Sequence, residues 1–245
     1  MMTNKQIVDL AGFFRIDTFT VFREYLQLVF LSHLYAQPQA GKVYFKGGTA
    51  IHLLFDSPRF SEDLDFSTTL SATDTSQLIK KTESEMRREI LGIKILLWHK
   101  GKQGIRFKLI YKSADFKYPM AIRIDVSFEK PLRPVSSPLV TKFPIGLFPV
   151  VSHLAIEEIM AEKIRALLLR AKGRDVFDLW FLLSKNYTIN QDLIAKKIGR
   201  KTFMPELRRK IANFSDKTLK LDLNQFLPAP MRKITDLKQR LKVLL

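Results

Sequence analysis

Cysteine is absent from the 245 residues, which excludes disulfides, thiolate metal sites and cysteine nucleophiles and is compatible with a reducing cytosol. No apolar run approaches the roughly 20 residues that span a bilayer as a helix. Met1 to Asp9 lacks the apolar core of a secretory leader, so a cytoplasmic location is expected. Acids are scarce beside bases: 24 Asp and Glu stand against 41 Lys and Arg, a net charge of +17. That excess fits a protein that meets a polyanion, whether RNA, DNA or an acidic protein. Internal repeats and low-complexity tracts are lacking too. What is present is an ordinary globular composition, 46% hydrophobic, in a chain long enough for one large domain or two small ones with a buried core.

Chemistry concentrates between Lys46 and Phe66. The apolar run Val43, Tyr44, Phe45 feeds Lys46 and the pair Gly47-Gly48, an amphipathic segment follows, and the chain returns through Arg59-Phe60-Ser61-Glu62-Asp63-Leu64-Asp65-Phe66. Strand side chains alternate faces, so Asp63 and Asp65 project together while Leu64 and Phe66 turn inward. Adjacent carboxylates repel, and a divalent cation between them is the simplest relief; this reads as a magnesium site. Gly47 and Gly48 let backbone N–H groups approach a phosphate at a helix start, and Thr49 adds a hydroxyl. The segment from Gly48 to Asp63 is long enough for about two helical turns and a reversal, bringing phosphate grip and metal into one cleft.

This order, Gly-Gly, helix, Asp-x-Asp, resembles the nucleotidyltransferase superfamily of the DNA polymerase beta type. The fuller string from Lys46 to Phe66 resembles the AbiEii/AbiGii toxin family within it, the toxins of bacterial abortive-infection toxin–antitoxin systems. A second block, Glu157 to Leu167 followed by Arg174-Asp175-Val176-Phe177-Asp178-Leu179, is similar to the same family. The resemblance spans about Tyr44 to Leu183. It implies an α/β (α+β) fold, a small mixed nucleotidyltransferase-type sheet with flanking helices and a mainly helical C-terminal region. It also implies metal-dependent transfer of nucleotides from an NTP to RNA, with the tRNA 3′ end as the expected acceptor, a cognate antitoxin as partner and no membrane. Gly-Gly stands where many superfamily members carry Gly-Ser.

Along the chain, Asn4 to Tyr35 reads as two helices, with Phe19, Phe22, Leu26, Val29 and Phe30 forming an apolar stripe. Ser71 to Asp74 offers caps to a charged helix over Ser76 to Ile90, which turns Leu78, Ile79, Met86 and Ile90 inward. Ile93 to Trp98 and Ile105 to Lys112 read as a hairpin with a basic tip, a candidate substrate contact. Met120 to Glu129 alternates as a strand carrying Asp125 on its polar face. The superfamily resemblance makes Asp125 a third acid for the metal of the attacking hydroxyl, which would complete a two-metal site with Asp63 and Asp65.

Pro131 to Val150, with five prolines, reads as an extended connection that ends the sheet. Expected beyond it is a helix from about His153 to Ala171, capped by Ser152 and closed by Gly173. Residues 1–150 are therefore expected to form the catalytic core, and 151–245 a helical region completing the active site. Within that region the resemblance assigns Lys163 to the triphosphate and the leaving pyrophosphate. Asp175 and Asp178 lie three apart and share a helix face, where one of them would position Lys163 or the incoming hydroxyl; the alternative is a plain salt-bridge set. Arg174 is either a phosphate contact or a partner of these acids. Lys46, Gly47, Gly48, Thr49 and Ser61 complete the nucleotide-binding set. Lys196, Lys197, Arg200, Lys201, Arg208, Arg209 and Lys210 suggest a nucleic-acid surface acting through phosphates.

Two other outcomes fit the same residues. The cleft could modify a protein, since fold and metal do not choose the acceptor, or it could be vestigial in a basic RNA- or partner-binding protein.

Overall fold

The computed structural model describes residues 1–113, 118–170, 172–233 and 236–245. Two compact units divide the chain: Met1–Asp56 with Phe60–Leu154, and Ser57–Arg59 with Ala155–Leu245.

In the first unit, Thr3 and Gln6 form a capping box that starts α1 (Asn4–Phe14). Asp17 accepts from the backbone N–H of Thr20 to start α2 (Thr18–Tyr35). Phe22, Leu26, Val29 and Phe30 are buried as the stripe requires, while Phe19 stays partly exposed. The burial of α2 runs wider than that stripe and takes in Glu24, Gln27 and Ser32, each of which finds a partner inside. Gln27 donates to the Ser61 carbonyl, Ser32 to the carbonyls of Leu28 and Leu147, and Glu24 meets His52.

The elements that follow are β1 (Val43–Lys46), α3 (Gly47–Phe55), β2 (Leu64–Thr68), α4 (Ala72–Glu89), β3 (Ile93–Gly101), β4 (Gly104–Tyr111), β5 (Met120–Ser127), β6 (Pro134–Pro138) and β7 (Val150–Leu154). Among the described residues the strands form one sheet in the order β3-β4-β5-β2-β1-β7-β6. It is mixed: β2 runs parallel to β5 and β1 parallel to β7, while the remaining neighbours are antiparallel. One sheet face meets α2 through ring contacts of Phe30 with Phe66 and of Phe22 with Tyr111. Alternation then leaves the opposite face to polar residues.

The sheet does not end at Pro131. Pro134 and Pro138 bound β6 on the sheet edge, where a missing N–H costs no ladder bond, and β7 returns beside β1. Ser152 and His153 consequently belong to β7 and not to a helix cap.

The second unit contains α5 (Ile156–Leu169), α6 (Gly173–Ser184), α7 (Gln191–Ile198), α8 (Met204–Ala212), α9 (Asp216–Asn224) and α10 (Leu237–Leu244). α5 begins after Ala155 with no side-chain cap, and Glu157 and Glu158 occupy its first turn. Its expected end at Ala171 lies outside the described residues. Gly173 opens α6 instead of closing α5. Its N–H donates to Asp222 on α9 at 2.7 Å, and a Cβ there would stand 2.9 Å from the Asp222 Cβ, so close helix packing explains the glycine. Lys197 is also reassigned from the basic surface: its ammonium is buried, 2.9 Å from Glu158 and 3.3 Å from Glu162. No helix among the described residues is long and apolar enough to cross a membrane.

Candidate active site

Strand register assembles the first constellation. Asp65 on β2 is the partner of Asp125 on parallel β5 and of Lys46 on β1, and Asp125 is in turn the partner of Arg106 on β4. Arg106, Asp125, Asp65 and Lys46 thus form one row across four strands. With Ser127 and the β3–β4 turn, this row lines an open cavity of about 580 Å3.

Asp63 lies just before β2, on the same face as Asp65, and is gripped by Arg123 of β5. Arg123 Nε donates to Oδ1 at 2.9 Å while Nη2 donates to Oδ2. This forked pair holds the Arg123 pKa above its ordinary value. Arg106 Nε stands 3.3 Å from Asp125 Oδ1, an ion pair without hydrogen-bond geometry, and that buried oxygen has no hydrogen-bond partner among the described residues. Burial raises the Asp125 pKa, Arg106 and Arg123 oppose the rise, and Asp63 adds to it.

The Gly-Gly turn is shaped by this row. Gly47 has φ of +80°, and a Cβ there would collide with the Asp65 carboxylate. The glycine therefore meets two demands at once, left-handed backbone and close approach. Gly47→Ala is expected to destabilise the protein by about 1–3 kcal/mol, measured by urea unfolding. Gly48 is buried in the first turn of α3, a helix whose N-terminus no side chain caps. Thr49 is fully buried and donates its hydroxyl to the Asp63 carbonyl, so it fixes the approach to the acids. The carbonyl of Ser61 accepts from Gln27 at 3.1 Å. On α3, His52 Nε2 meets Glu24 of α2 at 2.8 Å, which ties the Gly-Gly helix to the central one.

The second constellation lies wholly within the helical unit. Lys163 Nζ of α5 stands 3.2 Å from Asp175 Oδ1 and 2.7 Å from Asp178 Oδ2 of α6. The guanidinium of Arg59 completes it, donating from Nε and Nη2 to the two Asp178 oxygens at 2.7 and 2.8 Å. Asp178 is fully buried and Arg59 is 1% exposed. Burial alone would raise the Asp178 pKa, but Arg59 and Lys163 outweigh it and hold it at about 2. For Lys163, burial pulls down and the two aspartates prevail, leaving the pKa raised. Arg174 stacks over the Phe226 ring at 5.1 Å.

Sequence reasoning gave no role to Arg59, Arg106 or Arg123. The last two carried a signal in alternation, since each falls on the polar face of its strand. Arg59 had only its place in the motif string, because nothing local shows that a loop arginine will be paired 119 residues away.

No group of three or more His, Asp or Glu side chains that could hold a metal ion stands together among the described residues, and Asp63 is engaged by Arg123. The donors nevertheless suit a hard cation: Asp65 and Asp125 are neighbours on one face, and the buried Asp125 Oδ1 lacks a hydrogen-bond partner among the described residues.

The fold is shared with solved structures. MenT4, a nucleotidyltransferase toxin from Mycobacterium tuberculosis H37Rv, matches with a TM-score of 0.72 at 18% identity, over 100% of this chain and 88% of that one. JHP933 from Helicobacter pylori matches with a TM-score of 0.58 at 22% identity, over 94% of this chain and 91% of that one. No curated protein sequence matches. The family model of the AbiEii nucleotidyl transferase toxins of type IV toxin–antitoxin systems matches residues 29–242, nearly the whole chain and both constellations. This chain belongs to that family and is a nucleotidyltransferase.

Proposed function

We propose that the protein transfers a nucleotide from an NTP to the 3′ end of an RNA, with tRNA as the favoured acceptor, in a magnesium-dependent reaction within the cytoplasm. The observation that carries this reading is the row Arg106, Asp125, Asp65 and Lys46 along one open cavity, beside the uncapped N-terminus of α3. Asp65 and Asp125, with Asp63, would hold the metal, which supplies charge neutralisation at the phosphates and a lowered pKa for the attacking hydroxyl.

The chain's own groups do the rest. Backbone N–H groups at Gly47 and Gly48 face phosphate with the favourable end of the helix dipole. Lys46 and Ser61 extend that binding set, and Thr49 keeps the Asp63 segment in place through its carbonyl. In the transfer, the acceptor 3′ hydroxyl gives up its proton to solvent, its oxygen bonds to the α-phosphorus, the bond from that phosphorus to the bridging oxygen breaks, and pyrophosphate departs. The role at the departing pyrophosphate falls to Lys163, on the strength of the family motif. Asp175 and Asp178 keep its ammonium charged.

The net charge of +17 supports a nucleic-acid acceptor. A cognate antitoxin, as the family's toxin–antitoxin systems imply, would be the protein partner. The test is incubation with magnesium, total bacterial RNA, bacterial protein and each α-labelled NTP in turn. Label in tRNA-sized RNA that disappears on chelation is the expected result. Label confined to a protein band would move the acceptor to protein, and RNA binding without any transfer would favour a vestigial cleft.

A further inference from the structure

The edge strand β3 carries an apolar stretch that the core does not use. Leu96, Leu97 and Trp98 are 39%, 56% and 56% exposed. A register break between Leu97 and His99 makes Trp98 the extra residue of a bulge, a device that re-aims a side chain at a strand edge. Here it aims at the face bearing the acids. Lys108, which alternates with buried Phe107 and Leu109, places its ammonium 5.6 Å from the centre of the Trp98 ring, so ring and ammonium share the open face.

The same register sets the ring level with the candidate active site. The next residue, His99, is the partner of Arg106, which begins the row through Asp125 to Asp65. From β3 to β2 is three strand spacings, about 14 Å, a span that a few nucleotides of single strand cover. Lys102 of the exposed hairpin tip lines the same cavity as Asp65 and Asp125.

A large half-exposed ring with an ammonium group beside it suits the two parts of a single-stranded nucleic acid, the π-face of an unpaired base and the phosphate beside it. We infer that the β3–β4 hairpin is the docking site for the unpaired 3′ end of the acceptor RNA, with a base stacked on Trp98 and phosphates met by Lys108 and the hairpin tip. This rests on the RNA-transfer reading above and specifies it: the acceptor end must be single-stranded where it crosses β3, because a base inside a duplex is covered on both faces by its stacked neighbours.

The test uses the full chain carrying Asp65→Ala, so that binding is read without turnover, and compares Trp98→Ala and Trp98→Phe in that background. The probes are an oligoribonucleotide hairpin with an unpaired 3′ tail and the same hairpin with a blunt end, titrated at several salt concentrations. Expected is a loss of about ten- to a hundredfold in affinity for the tailed probe with Trp98→Ala, little change for the blunt one, and most of the affinity retained with Trp98→Phe. The salt slope should stay unchanged with Trp98→Ala and fall by about one with Lys108→Ala.

Equal affinity of Trp98→Ala and its parent for the tailed probe overturns the inference, as does an equal loss on both probes. Unchanged RNA affinity with a concentration-dependent dimer that Trp98→Ala abolishes would instead assign the edge to a second copy of this chain. The RNA-transfer reading is judged separately, by turnover of protein with native Asp65. Trp98-dependent tail binding without transfer to RNA would sink that reading and leave the docking site standing.

Discussion

Asp65→Ala is expected to abolish nucleotide transfer while leaving the fold intact. Asp65 is the middle of the polar row, with Lys46 on one side and Asp125 on the other, and it is the carboxylate against which Gly47 packs. On the proposed function Asp65 holds the metal and faces the reacting phosphate, a role that contributes several kcal/mol at the transition state, so its loss should lower kcat/KM on the order of a thousandfold or more. Stability should move little. The side chain stands on the open face of the sheet, so the unfolding free energy should stay within about 0.5 kcal/mol of wild type. The pair of measurements is steady-state transfer and the urea midpoint. A variant equally inactive and markedly destabilised would make Asp65 a structural residue and not a catalytic one.

The second large effect is predicted in the helical unit. Asp178→Asn should destabilise the protein by about 3–5 kcal/mol, because it leaves Arg59 and Lys163 buried with their shared carboxylate gone. A fall in melting temperature on the order of 10 °C would report it. The acid limb of wild-type stability carries the same signature. The folded state holds Asp178 at about 2 against an ordinary 3.8, so on acidification the unfolded chain takes up the proton first. The stabilisation from this group is complete above about pH 4 and disappears as the pH falls towards 2, on the order of 2 kcal/mol in all. Lys163 has the opposite sign, since a raised folded pKa keeps its contribution intact until the solution turns strongly alkaline. Asp178→Asn should therefore flatten the dependence of unfolding free energy on pH between about 2 and 4. An unchanged acid limb in the variant would show that other carboxylates govern it.

The sequence was informative wherever local pattern and chemistry coincide. Alternation around Asp65 and Asp125 set both acids on polar strand faces, and the hairpin, the two N-terminal helices and the charged helix α4 followed from spacing and caps. It failed where tertiary context overrides local signals. Prolines that break a central strand are harmless in β6, because an edge strand has one unpaired side. Ser152 has the chemistry of a cap but lies in a strand drawn in beside β1. Gly173 looked like a helix stop and is instead a contact point between helices.

The charged site residues divide in the same way. Periodicity could show that Asp63 and Asp65 share a face, but not that Arg123 would grip Asp63, because that pairing depends on which strand lies beside β2. Lys197 belongs to a run that reads as solvated and basic, yet burial beside Glu158 makes it a core ion pair. Charge in a sequence gives a total; only the fold says which charges face a partner.

On the proposed function, the row of acids serves transfer of a nucleotide and not of a bare phosphoryl group. Parallel reactions with α-labelled and γ-labelled forms of the preferred NTP, each with wild type and Asp65→Ala, test it most directly. Expected is α-label joined to the RNA 3′ end, γ-label released as pyrophosphate, and neither event with the variant. Label from the γ position in the acceptor, or equal transfer by Asp65→Ala, would contradict it.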